Sequence, residues 1–414
     1  MIVDILTKFN YRRKIYLTPE HPFCSYDDGF KMQYSSAVIM QAGLNKKVKL
    51  LNNFELERLM KYGLKMNSSD IAWALRNSKE YEMICEFVLE NIKTGKELKS
   101  SDKPTYSDVF SEKICQLAKK DKSIVAVTAA MPDGTGLNKF SKWFPERFFD
   151  VGIAEEHAVT FSAGMAAGGL KPVVAVYSSF LQRAFDQTIH DVCLQNLPVM
   201  IAVDRAGLVG SDGETHQGLF DLSFLNMIPN MTILSPKNRW EMADMVRFCA
   251  DFQYPVALRY PRGAAYEGLS AFRTPIVYGK SEILYEEEDI AVIFVGHMAE
   301  LAVQVRDRLK EIGYHCSLIN ARFVKPLDTE MLEALTKDHR LFVTIEENVL
   351  SGGFGEQVLH YVSRAKLDVG VRCIGIPDDY VEHGNVDLLR REVGLDAETI
   401  VKQIIADYVT IGKD

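Results

Sequence analysis

No stretch of the sequence approaches the ~20 consecutive apolar residues that a membrane-spanning helix requires. The opening residues, MIVDILTKFNYRRK, lack the long apolar core of a secretory signal. There is no Cys-x-x-Cys pair and no cysteine–histidine spacing suited to zinc. The seven cysteines (Cys24, Cys85, Cys115, Cys193, Cys249, Cys316 and Cys373) are scattered and odd in number. That pattern fits reduced thiols in the cytoplasm better than a secreted disulfide framework. Internal repeats and low-complexity tracts are also missing. So is a surplus of positive charge, since the formal net charge is −8. Residues 1–100 carry 16 Lys and Arg against 12 Asp and Glu, whereas the rest carries 32 against 44. An acidic body argues against nucleic acid as the main partner. It leaves room for a small phosphorylated metabolite, which needs only two or three well-placed arginines. The expectation is a soluble cytoplasmic protein with no membrane and no nucleic-acid partner.

What is present is ordinary globular chemistry. Of 414 residues, 47% are hydrophobic and 25% charged, and the length suggests two or three domains. Residues 1–103 read as a small, mainly helical segment, with helices over Phe54–Tyr62 and Ile71–Ile92 and a polar linker ending at Pro104. Residues 104–270 alternate strand-length apolar runs (Ser123–Thr128, Pro172–Val176, Val199–Val203, Met231–Leu234) with helical patterns (Tyr106–Lys119, Glu156–Ala167, Phe180–Gln195, Arg239–Cys249). Residues 278–414 repeat the logic with strands at Ile290–Val295, His315–Asn320 and Arg340–Ile345 and a helix at Ala299–Ile312. Such alternation predicts an α/β protein with two parallel-sheet domains, each sheet covered on both faces.

The stretch Phe149-Asp150-Val151-Gly152-Ile153-Ala154-Glu155-Glu156-His157-Ala158 puts a carboxylate after a strand-like run, at the start of a helix. In a parallel sheet that is the carboxyl edge, where α/β folds bind ligands. By itself, an acid at this position is more often a partner of the helix dipole. The context is more specific. Ala175-Val176-Tyr177-Ser178-Ser179-Phe180-Leu181-Gln182-Arg183 follows, then Asp204-Arg205-Ala206-Gly207-Leu208-Val209-Gly210-Ser211-Asp212-Gly213-Glu214-Thr215-His216-Gln217-Gly218, then Arg259-Tyr260-Pro261-Arg262-Gly263. In the last segment come Arg322-Phe323-Val324-Lys325-Pro326-Leu327-Asp328 and Glu346-Glu347-Asn348 with Gly352-Gly353-Phe354-Gly355. In this order and spacing the blocks resemble the transketolase-like thiamine diphosphate enzymes, specifically the pyrimidine-binding and C-terminal domains of the 1-deoxy-D-xylulose-5-phosphate synthases.

The resemblance implies roles residue by residue. Glu155 matches the glutamate that hydrogen-bonds the aminopyrimidine of thiamine diphosphate, delegating acid–base catalysis to the cofactor. Glu156 is then a helix-surface charge. Phe180 matches the aromatic that stacks on the pyrimidine, and Met131 is a candidate for the same pocket or a core filler. Arg205 and Arg262 match residues holding the acceptor's phosphate, with Tyr177 and Arg183 alongside. Asp212 and His216 match substrate contacts, His216 being a candidate proton donor or shuttle. His157, His190, His297 and His383 carry no catalytic expectation, and Arg259 is expected to pair within the fold.

The implied reaction condenses pyruvate with D-glyceraldehyde 3-phosphate, releasing CO₂ and forming 1-deoxy-D-xylulose 5-phosphate. One expected element is not recognisable: the diphosphate-binding domain, whose Gly-Asp-Gly and downstream Asn hold Mg²⁺. The nearest approach is Asp27-Asp28-Gly29. Three readings follow: one subunit of a split enzyme whose partner chain brings the diphosphate site and most of the Mg²⁺ ligation, with a homodimer expected as well; a compact synthase acting alone; or a binding or regulatory partner of a full-length relative. The intact set of site residues favours the first. A transketolase-like subunit using another ketose donor is its close variant.

Overall fold

The computed structural model describes residues 103–411. The expected helices Phe54–Tyr62 and Ile71–Ile92 and the Asp27-Asp28-Gly29 turn lie outside the described residues. The described chain falls into two units. Gly210–Glu214 and Val381–Leu389 belong to one; within it Gly384 N–H donates to the Gly210 carbonyl at 3.3 Å. Everything else described belongs to the other, which holds two sheets.

The first sheet has seven strands: β1 (Ile124–Thr128), β2 (Phe148–Asp150), β3 (Lys171–Tyr177), β4 (Met200–Asp204), β5 (Thr232–Leu234), β6 (Val256–Arg259) and β10 (Phe323–Lys325). Their order is β10-β5-β6-β4-β3-β1-β2. The second sheet comprises β7 (Glu282–Tyr285), β8 (Asp289–Phe294), β9 (Cys316–Asn320), β11 (His339–Val349) and β12 (Gly370–Ile376), ordered β12-β11-β8-β9-β7.

Burial on both faces explains the near-continuous apolar strands. Within β1, β3 and β4, Val127, Val174, Val176, Ile201 and Val203 join one apolar cluster, while the alternate Ala126, Val173, Ala175, Met200 and Ala202 join another. The period of two sends successive side chains to opposite covers. Helices α1 (Tyr106–Lys120), α2 (Glu155–Ala167), α3 (Asp221–Asn226) and α4 (Arg239–Asp251) belong with the first sheet, and α5 (Ala299–Glu311), α6 (Phe354–Ala365) and α7 (Ala397–Ile411) with the second. Helix α1 begins with a reciprocal capping box between Thr105 and Asp108, and Asn238 caps α4 through the Glu241 N–H. Among the described residues no helix is long and apolar enough to cross a membrane.

The α/β expectation holds, with three corrections. Both sheets are mixed rather than purely parallel, because β10 and β7 each pair antiparallel at an edge. Strand β10 comes from the C-terminal segment yet completes the first sheet. Its neighbourhood is fastened by buried ions: Lys237 Nζ sits 2.9 Å from Glu241 and 2.6 Å from Glu282, and Arg322 bonds both carboxylates at 2.8 Å. Finally, Phe180–Gln195 is not one helix but short helical turns ending in a π-turn over Thr188–Cys193. Thr188 Oγ1 donates to the Ala184 carbonyl at 2.7 Å, and such side-chain bonding competes with the regular ladder.

Candidate active site

The parallel strands of the first sheet end at Thr128, Asp150, Tyr177, Asp204, Leu234 and Arg259. The expected site residues follow those ends: Met131 after β1, Glu155 after β2, Tyr177 and Phe180 at and after β3, Arg205 after β4 and Arg262 after β6. Five loops thus bring dispersed motifs to one carboxyl edge. Asp150 ties two of the loops, its Oδ1 accepting from Ala130 N–H at 2.7 Å and Gly152 N–H at 3.0 Å.

Glu155 opens α2, where its charge also suits the helix dipole. It is 1% exposed. One carboxylate oxygen accepts from Arg183 Nη1 at 2.6 Å; the other, Oε2, is buried without a hydrogen-bond partner. A buried acceptor left over in this way costs free energy unless something else donates to it. Arg183 lies with its guanidinium carbon 4.8 Å from the Phe180 ring centroid. Phe180 in turn stacks with Tyr177 at 5.7 Å and meets His216 edge-on at 5.1 Å. Arg183, placed by sequence with the phosphate ligands, hydrogen-bonds Glu155. Met131 is buried in the apolar cluster behind the site.

Arg205 has φ +58°, a left-handed conformation that non-glycine residues adopt rarely, and its guanidinium lies 3.9 Å from the Tyr177 ring centroid. Arg262 Nη1 donates to the Val209 carbonyl at 3.3 Å. His216 Nδ1 is 2.9 Å from Thr215 Oγ1. Asp212 closes the Gly210–Asp212 turn in the other unit, where the adjacent Gly213 packs beside His383. Glu156 and His157 are exposed on α2, His157 stacking on Phe161. His190 is exposed against Asp191. Arg259 is fully buried and pairs with Asp221 at 2.5 Å.

Residues 102–267 match the family described as transketolase, pyrimidine binding domain, and residues 279–400 match transketolase, C-terminal domain. The chain belongs to the transketolase family. It is 56% identical over 316 residues to a protein named 1-deoxy-D-xylulose-5-phosphate synthase from Lachnoclostridium phytofermentans, covering 76% of this chain and 50% of that one. The synthase so named from Clostridium acetobutylicum is 48% identical over 338 residues, covering 81% of this chain and 54% of that one. The chain thus spans about half the length of the curated relatives it matches. A solved structure titled "Split gene transketolase, inactive beta4 tetramer" superposes with a TM-score of 0.68 at 26% identity, covering 74% of this chain and 98% of that one.

The transketolase C-terminal motif Glu346-Glu347-Asn348, given no role by the sequence, lies at the end of β11 and is wholly buried. Glu346 accepts from the Phe354 and Gly355 N–H groups at 2.8 and 2.7 Å, capping α6. Burial nevertheless pushes its pKa up to about 7. Glu347 accepts from Leu208 N–H at 3.0 Å, His297 Nε2 at 2.6 Å and Arg390 Nε at 2.6 Å. Burial alone would raise its pKa, but Arg390 and His297 outweigh that and hold it well below the usual carboxylate range. Asn348 Oδ1 accepts from Leu222 N–H at 3.1 Å. These contacts were invisible in sequence because the partners lie 126 and 139 residues apart. Among the described residues, no group of three or more His, Cys, Asp or Glu is placed to hold a cation.

Proposed function

We propose that this chain is the pyrimidine-binding and C-terminal portion of a thiamine diphosphate-dependent 1-deoxy-D-xylulose-5-phosphate synthase, in which residues 104–270 and 278–414 act as the two domains. The observation that carries the reading is the unpartnered, buried Oε2 of Glu155 at the carboxyl edge of the first sheet. Such an oxygen suits a ring N–H donor from a ligand lying against Phe180, which is what the imino tautomer of an aminopyrimidine offers. Bound there, thiamine diphosphate supplies the nucleophilic carbon and electron sink that decarboxylation of pyruvate requires.

The chain's own residues then divide the remaining work. Arg183 holds one oxygen of Glu155 so that the other faces the ring. Phe180 flanks the pyrimidine and separates it from water. Arg205 and Arg262, with Tyr177, take the phosphate of D-glyceraldehyde 3-phosphate, since a guanidinium fork matches phosphate geometry. His216, edge-on to Phe180, moves a proton to or from the acceptor's oxygen in this reading.

The diphosphate and its Mg²⁺ are held mainly by a second polypeptide in this reading, and the chain pairs with its own copy as well. The likeness to a split-gene transketolase chain supports it. The test is calorimetric titration of thiamine diphosphate into the purified full chain, with and without Mg²⁺, followed by a pyruvate plus D-glyceraldehyde 3-phosphate assay with and without co-purified chains. Weak binding alone and turnover only with a second chain are expected. Micromolar, Mg²⁺-dependent binding, or turnover above trace by the chain alone, would overturn the split arrangement. Turnover with another ketose donor in place of pyruvate would reassign the substrate while leaving the cofactor reading intact.

A further inference from the structure

The segment Arg205–Gly218 carries Arg205 at one end and His216 at the other. It is pinched at its base: Gly207 N–H donates to Gly218 O at 2.6 Å, and Gly218 N–H to Gly207 O at 2.8 Å. Val209 N–H donates to Gln217 Oε1 at 2.7 Å. This pinched base rests on the end of β11. Leu208 N–H reaches Glu347, the Leu219 carbonyl accepts from Val349 N–H at 2.8 Å, and Leu222 N–H reaches Asn348. Arg259 Nη2 also donates to the Glu347 carbonyl at 2.7 Å.

Glu347 is the centre of this arrangement. His297 and Arg390 fix its two oxygens from other elements of the C-terminal region, leaving Oε2 shared with Leu208 N–H. Its fit is close. A Cβ added to Gly207, which sits at φ +84°, would lie 2.0 Å from Glu347 Oε2 and 3.2 Å from His297 Cε1. Only glycine allows the loop backbone to approach the carboxylate this closely. Glu346, one residue earlier and equally buried, instead accepts from the N–H groups at the start of α6.

We infer that Glu347, oriented by His297 and Arg390, is a positioning residue that sets the backbone of the loop carrying Arg205 and His216, and so governs how well the site accepts a phosphorylated aldehyde. The inference rests on the reading of Arg205 and Arg262 as phosphate ligands. It gives the C-terminal domain a stated job in the pyrimidine domain's chemistry. Removing the carboxylate frees Leu208 N–H, loosens the loop and misplaces Arg205, while the sheets and the Glu155 site stay as they are.

The test uses the full chain, with glycerol 3-phosphate as an unreactive phosphorylated probe and glycerol as its control, read by ³¹P and ligand-observed NMR, together with amide hydrogen exchange. Glu347→Gln is expected to weaken glycerol 3-phosphate binding roughly tenfold. It should also speed exchange over residues 206–219 by roughly tenfold or more, with no change in β1, β3 or β4. Arg390→Gln, at a partly exposed side chain, should do the same to a smaller degree, and decides the matter if Glu347→Gln does not fold. Glu346→Gln is the control and should leave the loop unaffected. Unchanged binding and exchange in Glu347→Gln overturns the proposal. Equal loosening of the loop by Glu346→Gln also overturns it, because the effect would then be general destabilisation. If the wild-type chain does not bind glycerol 3-phosphate, the phosphate-ligand reading fails, and the exchange measurement alone decides whether Glu347 holds the loop.

Discussion

Glu155 and Glu347 are both buried carboxylates near the carboxyl end of a strand, yet they are used in opposite ways. Glu347 accepts from three donors on three elements, and burial is overcome by Arg390 and His297. Glu155 has one partner, a half-exposed Arg183, and one buried oxygen with none. A saturated carboxylate has no capacity left for a ligand; one with an unmatched oxygen can still accept from one. Burial alone does not separate the two, whereas the count of satisfied lone pairs does.

Substitutions can break that contrast, and the largest effect belongs to Glu155. Glu155→Ala should lower turnover of the competent assembly about 10²- to 10⁴-fold, measured by CO₂ release from pyruvate. Its unfolding midpoint in urea should barely move. Survival of turnover would remove Glu155 from the site. Glu347→Ala inverts the pattern on stability, costing about 3–5 kcal/mol in chemical denaturation because Arg390 and His297 lose their buried partner. A cost as small as that of Glu155→Ala would erase the distinction drawn here.

A smaller effect concerns pH. Burial pushes Asp204 up to about 7, partly offset by its bond from Ser107 at 2.7 Å, and pushes Glu346 to about 7 as well. The folded chain therefore keeps protons that the unfolded chain loses near pH 4. These groups' stabilising contribution is complete below about pH 4 and fades as pH rises towards 7. Glu347 works the other way, its contribution fading only as pH falls below the ordinary carboxylate range. Asp204→Asn should flatten the decline between pH 4 and 7 by at most about 1.4 kcal/mol per pH unit, measured as urea unfolding at a series of pH values. No change in slope would place Asp204 as an ionised group. Arg183→Ala should lower stability modestly, by about 1–3 kcal/mol in urea unfolding, because the buried Glu155 loses its one donor although Arg183 itself is 47% exposed. It should also weaken thiamine diphosphate binding in the assembly, which calorimetry would show; unchanged affinity would make the Glu155–Arg183 pair incidental.

Much of the fold was legible because each buried parallel strand carries its own signal, a β-branched apolar run such as Ile124–Thr128 followed by helical spacing. Short pieces such as β6, β7 and β10, with three or four residues each, were missed. The antiparallel edge formed by Phe323–Lys325 could not be read, because its pairing with Ile233 and Leu234 is a long-range event. The helix expected over Phe180–Gln195 broke where Thr188 turned back on the chain. Within the site, Glu155, Phe180 and Arg205 stood in recognisable motifs. That Arg183 would bond Glu155 was decided by the turn at Gln182–Ala184, which periodicity does not describe.

By itself, the sequence determined the class of fold, the order of elements and which residue types stand after each strand, since these follow from local pattern and motif. Only the tertiary structure decided which of those residues satisfy one another. Glu346 and Glu347 are neighbours of the same type on one strand, and one caps its own domain's helix while the other holds a loop of the pyrimidine domain. The pleat turns adjacent side chains to opposite faces, so their partners were set by what packs on each side of the sheet and not by anything written beside them in the chain.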